Sequence, residues 1–404
     1  MNLSASPSWL PPYLVPFFTL SYPSAPPSNP DSFPNSNYYR TGYLDICFVV
    51  TWIAVLAVLR EVVRLGFLEP FARWWLTPRS RVASANGAHN GSLSNGKAHT
   101  NGDALAVKSQ QNGTDSPLRN RKSSQSPPKL DKITKKRRKG MSKEEWARER
   151  SVLRFAEQGW ACVYYTVYWT FGLYIHLSLP TSPFNTTQLW VGYPHDLLAG
   201  PLKFYYLTQM SSWLHQILVL NAEARRKDHY QMLSHHIITI ILMTASYIGN
   251  FTRAGCLILA LLDFCDIFLP LAKMLRYLQL TTICDATFVF FMTSWLVTRN
   301  ILLPVVIWSV AFETPGLVPD VWDPEKGYYG SRGIMNLFIA LLVSLQILLC
   351  IWGWMIARVA WMVVRGSSAE DVRSDEEGES PEDDTNDEAG DDEVSSNNLK
   401  RKSQ

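Results

Sequence analysis

Two apolar stretches follow one another with almost nothing between them. They are LSHHIITIILMTASYIGN, from Leu233, and CLILALLDFCDIFLPLAK, from Cys256. Each is close to the roughly 20 residues needed to cross hydrocarbon. Lipid cannot satisfy open backbone groups, so both are expected to be helices. The short turn Phe251-Thr252-Arg253-Ala254 makes them antiparallel and favours direct packing. Each nevertheless carries ionisable groups, His235 and His236 in the first, Asp263 and Asp266 in the middle of the second. An Asp at the centre of a membrane helix costs roughly 2.5–3.5 kcal/mol on insertion scales. Two of them consume much of a net stability of about 5–15 kcal/mol. Groups so costly are retained mostly for function.

Apolar blocks recur along the chain. A first span is expected from about Tyr43 to Leu59, its helix continuing through Arg60 and Arg64. Six more are expected near 155–177, 202–221, 231–249, 255–273, 284–308 and 333–362. The expected fold class is an all-α polytopic membrane protein of about seven transmembrane helices, six of them a bundle over 151–365. Residues 1–41, rich in Pro, Ser and Asn, read as a disordered lumenal N-terminus. Residues 42–77 hold the first helix and a juxtamembrane segment, and 78–150 a low-complexity and then basic cytosolic linker. Residues 366–404 read as an acidic disordered tail. The formal net charge of +3 hides this partition, because basic residues crowd Lys129 to Arg154 and acidic ones Glu370 to Glu393.

Lys/Arg asymmetry sets the orientation. The basic linker, Arg225-Arg226-Lys227, the Lys273/Arg276 region and Arg358/Arg365 all point to the cytosol. Seven spans then leave the N-terminus lumenal and the C-terminus cytosolic. Asn185-Thr186-Thr187 is a glycosylation sequon in an opposite loop. The N-terminus lacks the positive region of a secretory signal peptide. Lys400 and Lys402, in the final KRKSQ, match a dilysine retrieval signal for the endoplasmic reticulum, or form a plain basic end. The six cysteines lie in apolar segments, without zinc spacing or a disulfide framework.

On a helix, His235, Thr239, Ser246 and Asn250 fall near one face, with His236 and Tyr247 bordering it. Asp263 and Asp266 share a face of the next helix, and the depths match, so a His–Asp contact is expected. An Asp that accepts an imidazole N–H fixes the tautomer and raises basicity. The free nitrogen then takes a proton or attacks a thioester. The alternative is a buried pair that only locks two helices. His215 lines the same cavity or packs between helices, and Lys203 stands near it in sequence. Arg299 and Asn300 bind a polar head group or cap a helix kinked at Pro304. Arg225, Arg226 and Lys227 hold donor phosphates or anchor topology.

The stretch from Lys203 to Arg276 resembles the ceramide synthase family, whose shared module is the TLC domain. The double His followed by IIT, the SY before the turn, TR-x-G and D-x-x-D carry the likeness. It extends more loosely over 150–365. No homeobox-like segment precedes the second span, as in a fungal or otherwise non-animal member. The resemblance implies a six-helix TLC-type catalytic domain. It also implies acyl transfer from a fatty acyl-CoA to the amine of sphinganine or phytosphingosine, in the endoplasmic reticulum membrane. His235 and His236 map onto the family's required His pair, and Asp263 and Asp266 onto its Asp pair. Acyl-CoA is then a co-substrate, and neither metal nor redox cofactor is needed. Lys203, His215, Tyr247, Arg299 and Asn300 are candidates for substrate binding. Expected partners are a second copy or a paralogue and a small accessory membrane subunit, with no nucleic acid.

Other classes fit less well. A di-iron hydroxylase needs several His boxes, and the eight histidines do not form them. A proton-coupled transporter should show repeats or matched interrupted helices. A non-catalytic lipid-sensing TLC protein should lack the His pair. In the acidic tail, Ser367, Ser368 and Ser374 precede acidic residues, as in substrates of an acidophilic kinase, or the tail only solubilises.

Overall fold

The computed structural model describes residues 10–76, 143–182, 184–222 and 228–365. It is mostly helical. The long elements are α1 (Asp45–Val63), α2 (Glu69–Leu76), α3 (Lys143–Ser178), α4 (Gly200–Ala222) and α5 (His229–Ile248). They continue with α6 (Thr252–Asp266), α7 (Phe268–Tyr277), α8 (Thr281–Trp295), α9 (Leu303–Phe312) and α10 (Arg332–Val364). Wide π-helical turns, Arg64–Leu68 and Leu296–Leu302, join α1 to α2 and α8 to α9. Among the described residues, four helical stretches are long and apolar enough to cross a membrane: Asp45–Leu76, Thr252–Tyr277, Thr281–Phe312 and Arg332–Met362. Polar side chains such as Lys203, Gln209, His235 and His236 dilute the apolar character of α4 and α5.

Local chemistry explains the breaks. Asn250 closes α5 in the left-handed conformation at φ 60°, with Phe251 N donating to the Ser246 carbonyl at 2.8 Å. Asn tolerates that conformation, and the geometry caps the carbonyls of the last turn. The chain therefore reverses within four residues and sends α6 back along α5. Pro270 and Pro304 each withdraw one N–H from the helical ladder, and breaks lie just ahead of both, between α6 and α7 and between α8 and α9.

Tight packing relies on small residues where helices approach. A Cβ at Gly172 of α3 would stand 2.6 Å from the Tyr205 hydroxyl, and one at Gly255 of α6 would meet the Tyr206 ring. Tyr205 and Tyr206 are fully buried in a core shared with Tyr164, Ile175, Met243 and Tyr247. A second core gathers around Trp190, Phe251 and Phe338, and a third around Phe291, Leu345 and Leu349.

The expectation of a disordered N-terminus needs correction over its described part, residues 10–41. Strand β1 (Pro23–Ser24) pairs with β2 (Tyr38–Tyr39), which pairs with β3 (Leu198–Ala199), all antiparallel. Tyr38 and Tyr39 are buried. The physical reason is a cation: Lys203 of α4, wholly buried, donates to the carbonyls of Ser21 at 2.8 Å and Arg40 at 2.7 Å. At the same end of the bundle Arg253 pairs with Asp31. Low overall hydrophobicity in this segment hid a few well-placed aromatic and backbone groups. A second small sheet pairs β4 (Trp322–Asp323) with β5 (Tyr328–Tyr329).

Candidate active site

A narrow, mostly apolar cavity runs between α4, α5, α6, α9 and α10. One end holds the polar groups His235, Asp263, Asp266 and Arg299, with Trp213 and Thr239. The other is lined by Trp190, Phe251, Val310, Met335 and Phe338. His235 and Phe251 are sixteen residues apart in sequence, so a helix rise puts the two ends about 20–24 Å apart. Along that length the walls are Met243, Leu259, Leu342 and similar side chains. Such a mostly apolar pocket with few convergent polar groups is the usual form of a small-molecule site.

His235 is clamped rather than bonded. Its ring meets Trp213 and Trp352 edge to face, at 5.3 and 5.2 Å between centroids. Its Nδ1 is buried without a hydrogen-bond partner. His236 does not line the cavity. Its Nδ1 donates to the Met232 carbonyl one turn earlier, at 2.7 Å, which puts the lone pair on Nε2. That Nε2 lies 3.3 Å from the Gln216 amide oxygen. Rotation of this amide presents its NH₂ to the lone pair instead.

The expected His–Asp hydrogen bond is absent among the described residues. Each carboxylate has another partner. Asp263 Oδ2 accepts from Gln209 Nε2 at 2.5 Å, and Gln209 Oε1 accepts from the Tyr164 hydroxyl at 2.9 Å. Asp266 Oδ2 pairs with Arg299 Nη2 at 2.7 Å. Arg299 also donates to the Leu262 carbonyl at 3.0 Å and lies 4.0 Å over the Trp295 ring. The Leu296–Leu302 turn carries Arg299 into the cavity, and wide turns of this kind recur at functional sites. The matched depth read from the sequence does bring His235, Asp263 and Asp266 to one cavity wall. Gln209 and Arg299, from α4 and the distant π turn, claim the carboxylates. Sequence spacing within two adjacent helices carries no information about either.

Other candidates resolve differently. Lys203 and Tyr247 do not line the cavity. Lys203 Nζ lies 2.8 Å from Asp45 Oδ1, and the Tyr247 hydroxyl donates to Asp45 Oδ2 at 2.8 Å. Both bind the first helix, and Tyr247 acts at one remove by stacking on the cavity-lining Tyr206, 5.6 Å between centroids. His215 is partly buried and is not among the lining residues. Asn300 lies outside the cavity beside Cys350. Asn185 and Thr187 of the sequon are exposed. Arg225, Arg226, Lys227, Ser367, Ser368, Ser374, Lys400 and Lys402 lie outside the described residues.

Sequence reasoning missed Gln209, Trp213, Trp190 and Trp352. A polar residue inside an apolar run was the available signal for Gln209; the tryptophans resemble interface anchors. Trp190 Nε1 donates to Ser309 Oγ at 2.7 Å, and Ser309 donates to Glu313 at 2.7 Å, fixing that indole at the apolar end.

Residues 154–358 match the TLC domain. Among curated proteins, the chain is 38% identical over 257 residues to a ceramide synthase, FUM18, of Gibberella moniliformis, covering 57% of this chain and 60% of that protein. It is 41% identical over 232 residues to the sphingosine N-acyltransferase lag1 of Schizosaccharomyces pombe, covering 57% and 59%. It is 32% identical over 263 residues to ceramide synthase 5 of Mus musculus, covering 60% of each. The chain thus spans about three fifths of the length of these relatives.

Proposed function

The chain belongs to the TLC domain family, and from that footing we propose that it is a ceramide synthase. It transfers a fatty acyl group from acyl-CoA to the amine of a sphingoid base, sphinganine or phytosphingosine, releasing CoA thiol. The observation that carries the reading is His235, its Nδ1 without a hydrogen-bond partner among the described residues, at the polar end of a long apolar cavity, beside the Asp266–Arg299 pair. The names of the relatives agree with it.

The acyl chain lies along the cavity, with its thioester at the His235 end. His235, whose Nδ1 has no hydrogen-bond partner among the described residues, takes the amine proton as general base or carries the acyl group between donor and acceptor. Trp213 and Trp352 hold the ring in place. His236, tied to Met232 and Gln216, positions its neighbour. Arg299, held by Asp266, presents its guanidinium where the carbonyl oxygen becomes negative, in a site that excludes water. The bond made is amide, the bond broken is thioester, and the amine proton leaves on the thiol. The donor supplies the acyl group, and neither metal nor redox cofactor enters the step.

Seven spans are proposed, formed by α1–α2, α3, α4, α5, α6–α7, α8–α9 and α10, in the endoplasmic reticulum membrane. The N-terminal segment and the Asn185 sequon are then lumenal, and the C-terminus cytosolic. The 36 residues of α3, 23 of α4 and 20 of α5 support this by length. Asn185 is then open to glycosylation.

Incubation of the purified protein with palmitoyl-CoA and sphinganine, followed by mass spectrometry, tests the reading. N-acyl sphinganine is expected. An active preparation of the His235→Ala/His236→Ala double variant, or an inert wild-type protein, sinks it.

A further inference from the structure

The π turn Leu296–Leu302 puts the Arg299 side chain into the cavity, while the Arg299 carbonyl faces α10 and accepts from Gln346 Nε2 at 3.0 Å. On the far side of that turn an apolar groove opens between α9 and α10, lined by Pro304, Ile307, Val343, Ile347, Ile351 and Trp354. Ile347 and Trp354 are 56% and 74% exposed, so on the seven-span reading the groove faces lipid.

The groove has a polar notch where it meets the π turn. Gln346 Oε1 is buried and unpartnered, and so is Trp295 Nε1. Gly353 lets the Trp295 and Asn300 side chains approach α10, because a Cβ there would stand 3.2 Å from Trp295 Nε1 and 3.5 Å from Asn300 Nδ2. The one hydrogen bond to the Asn300 side chain among the described residues is a long one, from the Cys350 thiol at 4.0 Å. Polar groups left unpaired at membrane depth are costly, because lipid offers them nothing. The notch is built for a ligand that brings polar atoms on an apolar body.

We propose that the groove between α9 and α10 is the binding site of the long-chain amine before it reacts, with its alkyl chain against Ile347 and Trp354 and its polar head in the Gln346–Asn300–Trp295 notch. The inference rests on the function proposed above. An amino alcohol matches the notch atom for atom in kind. Its ammonium or hydroxyl donates to Gln346 Oε1, and its hydroxyl oxygen accepts from Trp295 Nε1 and the Asn300 amide. The notch adjoins Trp352, whose ring contacts His235, so the head group waits beside the reacting end of the acyl chain. A second copy of the chain is the rival occupant. Of the exposed groove residues of α10, Ile347 and Ile351 would bring it no polar group, and the Trp354 indole would bring a donor but no acceptor for Trp295 Nε1.

The test uses the full chain in lipid nanodiscs with a sphinganine carrying a photoreactive diazirine in its alkyl chain. Cross-links are expected in peptides covering 296–307 and 343–354, removed by excess sphinganine. Gly353→Leu and Ile347→Trp fill the notch and the groove. Each is expected to raise KM for sphinganine about five-fold or more, with KM for palmitoyl-CoA held within about two-fold. The cross-link on wild-type protein stands even where a filled variant fails to fold. Cross-links elsewhere, or equal rises in both KM values, overturn the inference while leaving an active wild type and its proposed function intact. Groove variants that change oligomeric state without moving the sphinganine KM also overturn it. Absence of any wild-type product overturns the function itself.

Discussion

Two clusters of buried charge lie within this helical bundle, and they are built on opposite plans. Around Lys203, three oxygens meet one ammonium: Asp45 Oδ1, the Ser21 carbonyl and the Arg40 carbonyl, with the rings of Tyr22 and Tyr39 within 6 Å. Around His235, the ring is held by aromatic edges while Nδ1 and the nearby Arg299 Nε stay unbonded. Residue type does not separate the two, since both use a cation and a carboxylate. Completeness of pairing does. A buried ammonium that meets three oxygens holds the fold, and unfilled valences facing a cavity hold something else.

The sharpest way to break this comparison is to delete the open group. His235→Ala is expected to cut acyl transfer about 10²–10⁴-fold, the usual size of a lost general base. Membrane insertion and the size-exclusion profile should stay as in the wild type. A variant that unfolds instead would make His235 a second structural clamp.

The closed group should answer in the other currency. Lys203→Met leaves the Asp45 carboxylate buried without its cation, which costs about 3–5 kcal/mol. A marked fall in melting temperature is expected. Replacing both partners, Asp45→Leu with Lys203→Met, should regain most of it, because an apolar pair is often neutral in place of a buried ion pair. A double variant no better than either single would show that the clasp does more than pair charge.

Trp190→Phe is a milder probe at the apolar end of the cavity. Loss of the bond to Ser309 Oγ costs about 0.5–1.5 kcal/mol. The smaller ring should also shift relative rates across a panel of acyl-CoA lengths toward longer chains. Unchanged selectivity would move the chain-length stop elsewhere.

The smallest effect concerns pH. His195 lies in the loop before β3, and its pKa is pushed down to about 4, by burial first and by the charge of Arg253 next. The folded protein therefore holds it neutral where an unfolded chain, near 6.5, already takes a proton. Its contribution to stability is whole above about pH 6.5 and declines as pH falls toward 4. His195→Asn should flatten that part of a melting-temperature profile and leave pH 8 unchanged.

The contrast also explains what the sequence disclosed. The ionisable pairs in adjacent apolar stretches were legible because their cost in lipid is a property of residue type and position alone. The convergence of His235, Asp263 and Asp266 on one cavity followed from helix periodicity and a four-residue turn, and His236 does not share it. Their bonding did not follow, because Gln209 and Arg299 come from helices whose neighbours no local spacing records. The N-terminal segment was misread for the same reason. Its Pro and Ser content is that of a loose tail, and the groups that fasten it, Lys203 and Arg253, stand more than 160 and 220 residues from their partners Arg40 and Asp31.

The Lys203 clasp has a practical corollary. The match to the TLC domain begins at residue 154, yet the oxygen atoms around the buried Lys203 ammonium come from residues 21, 40 and 45. The unit that folds is thus larger than the unit that is recognised. A chimera or shortened version cut at the module edge would strand a bare cation in oil, so grafts between relatives must carry the leading segment and its receptor helix together.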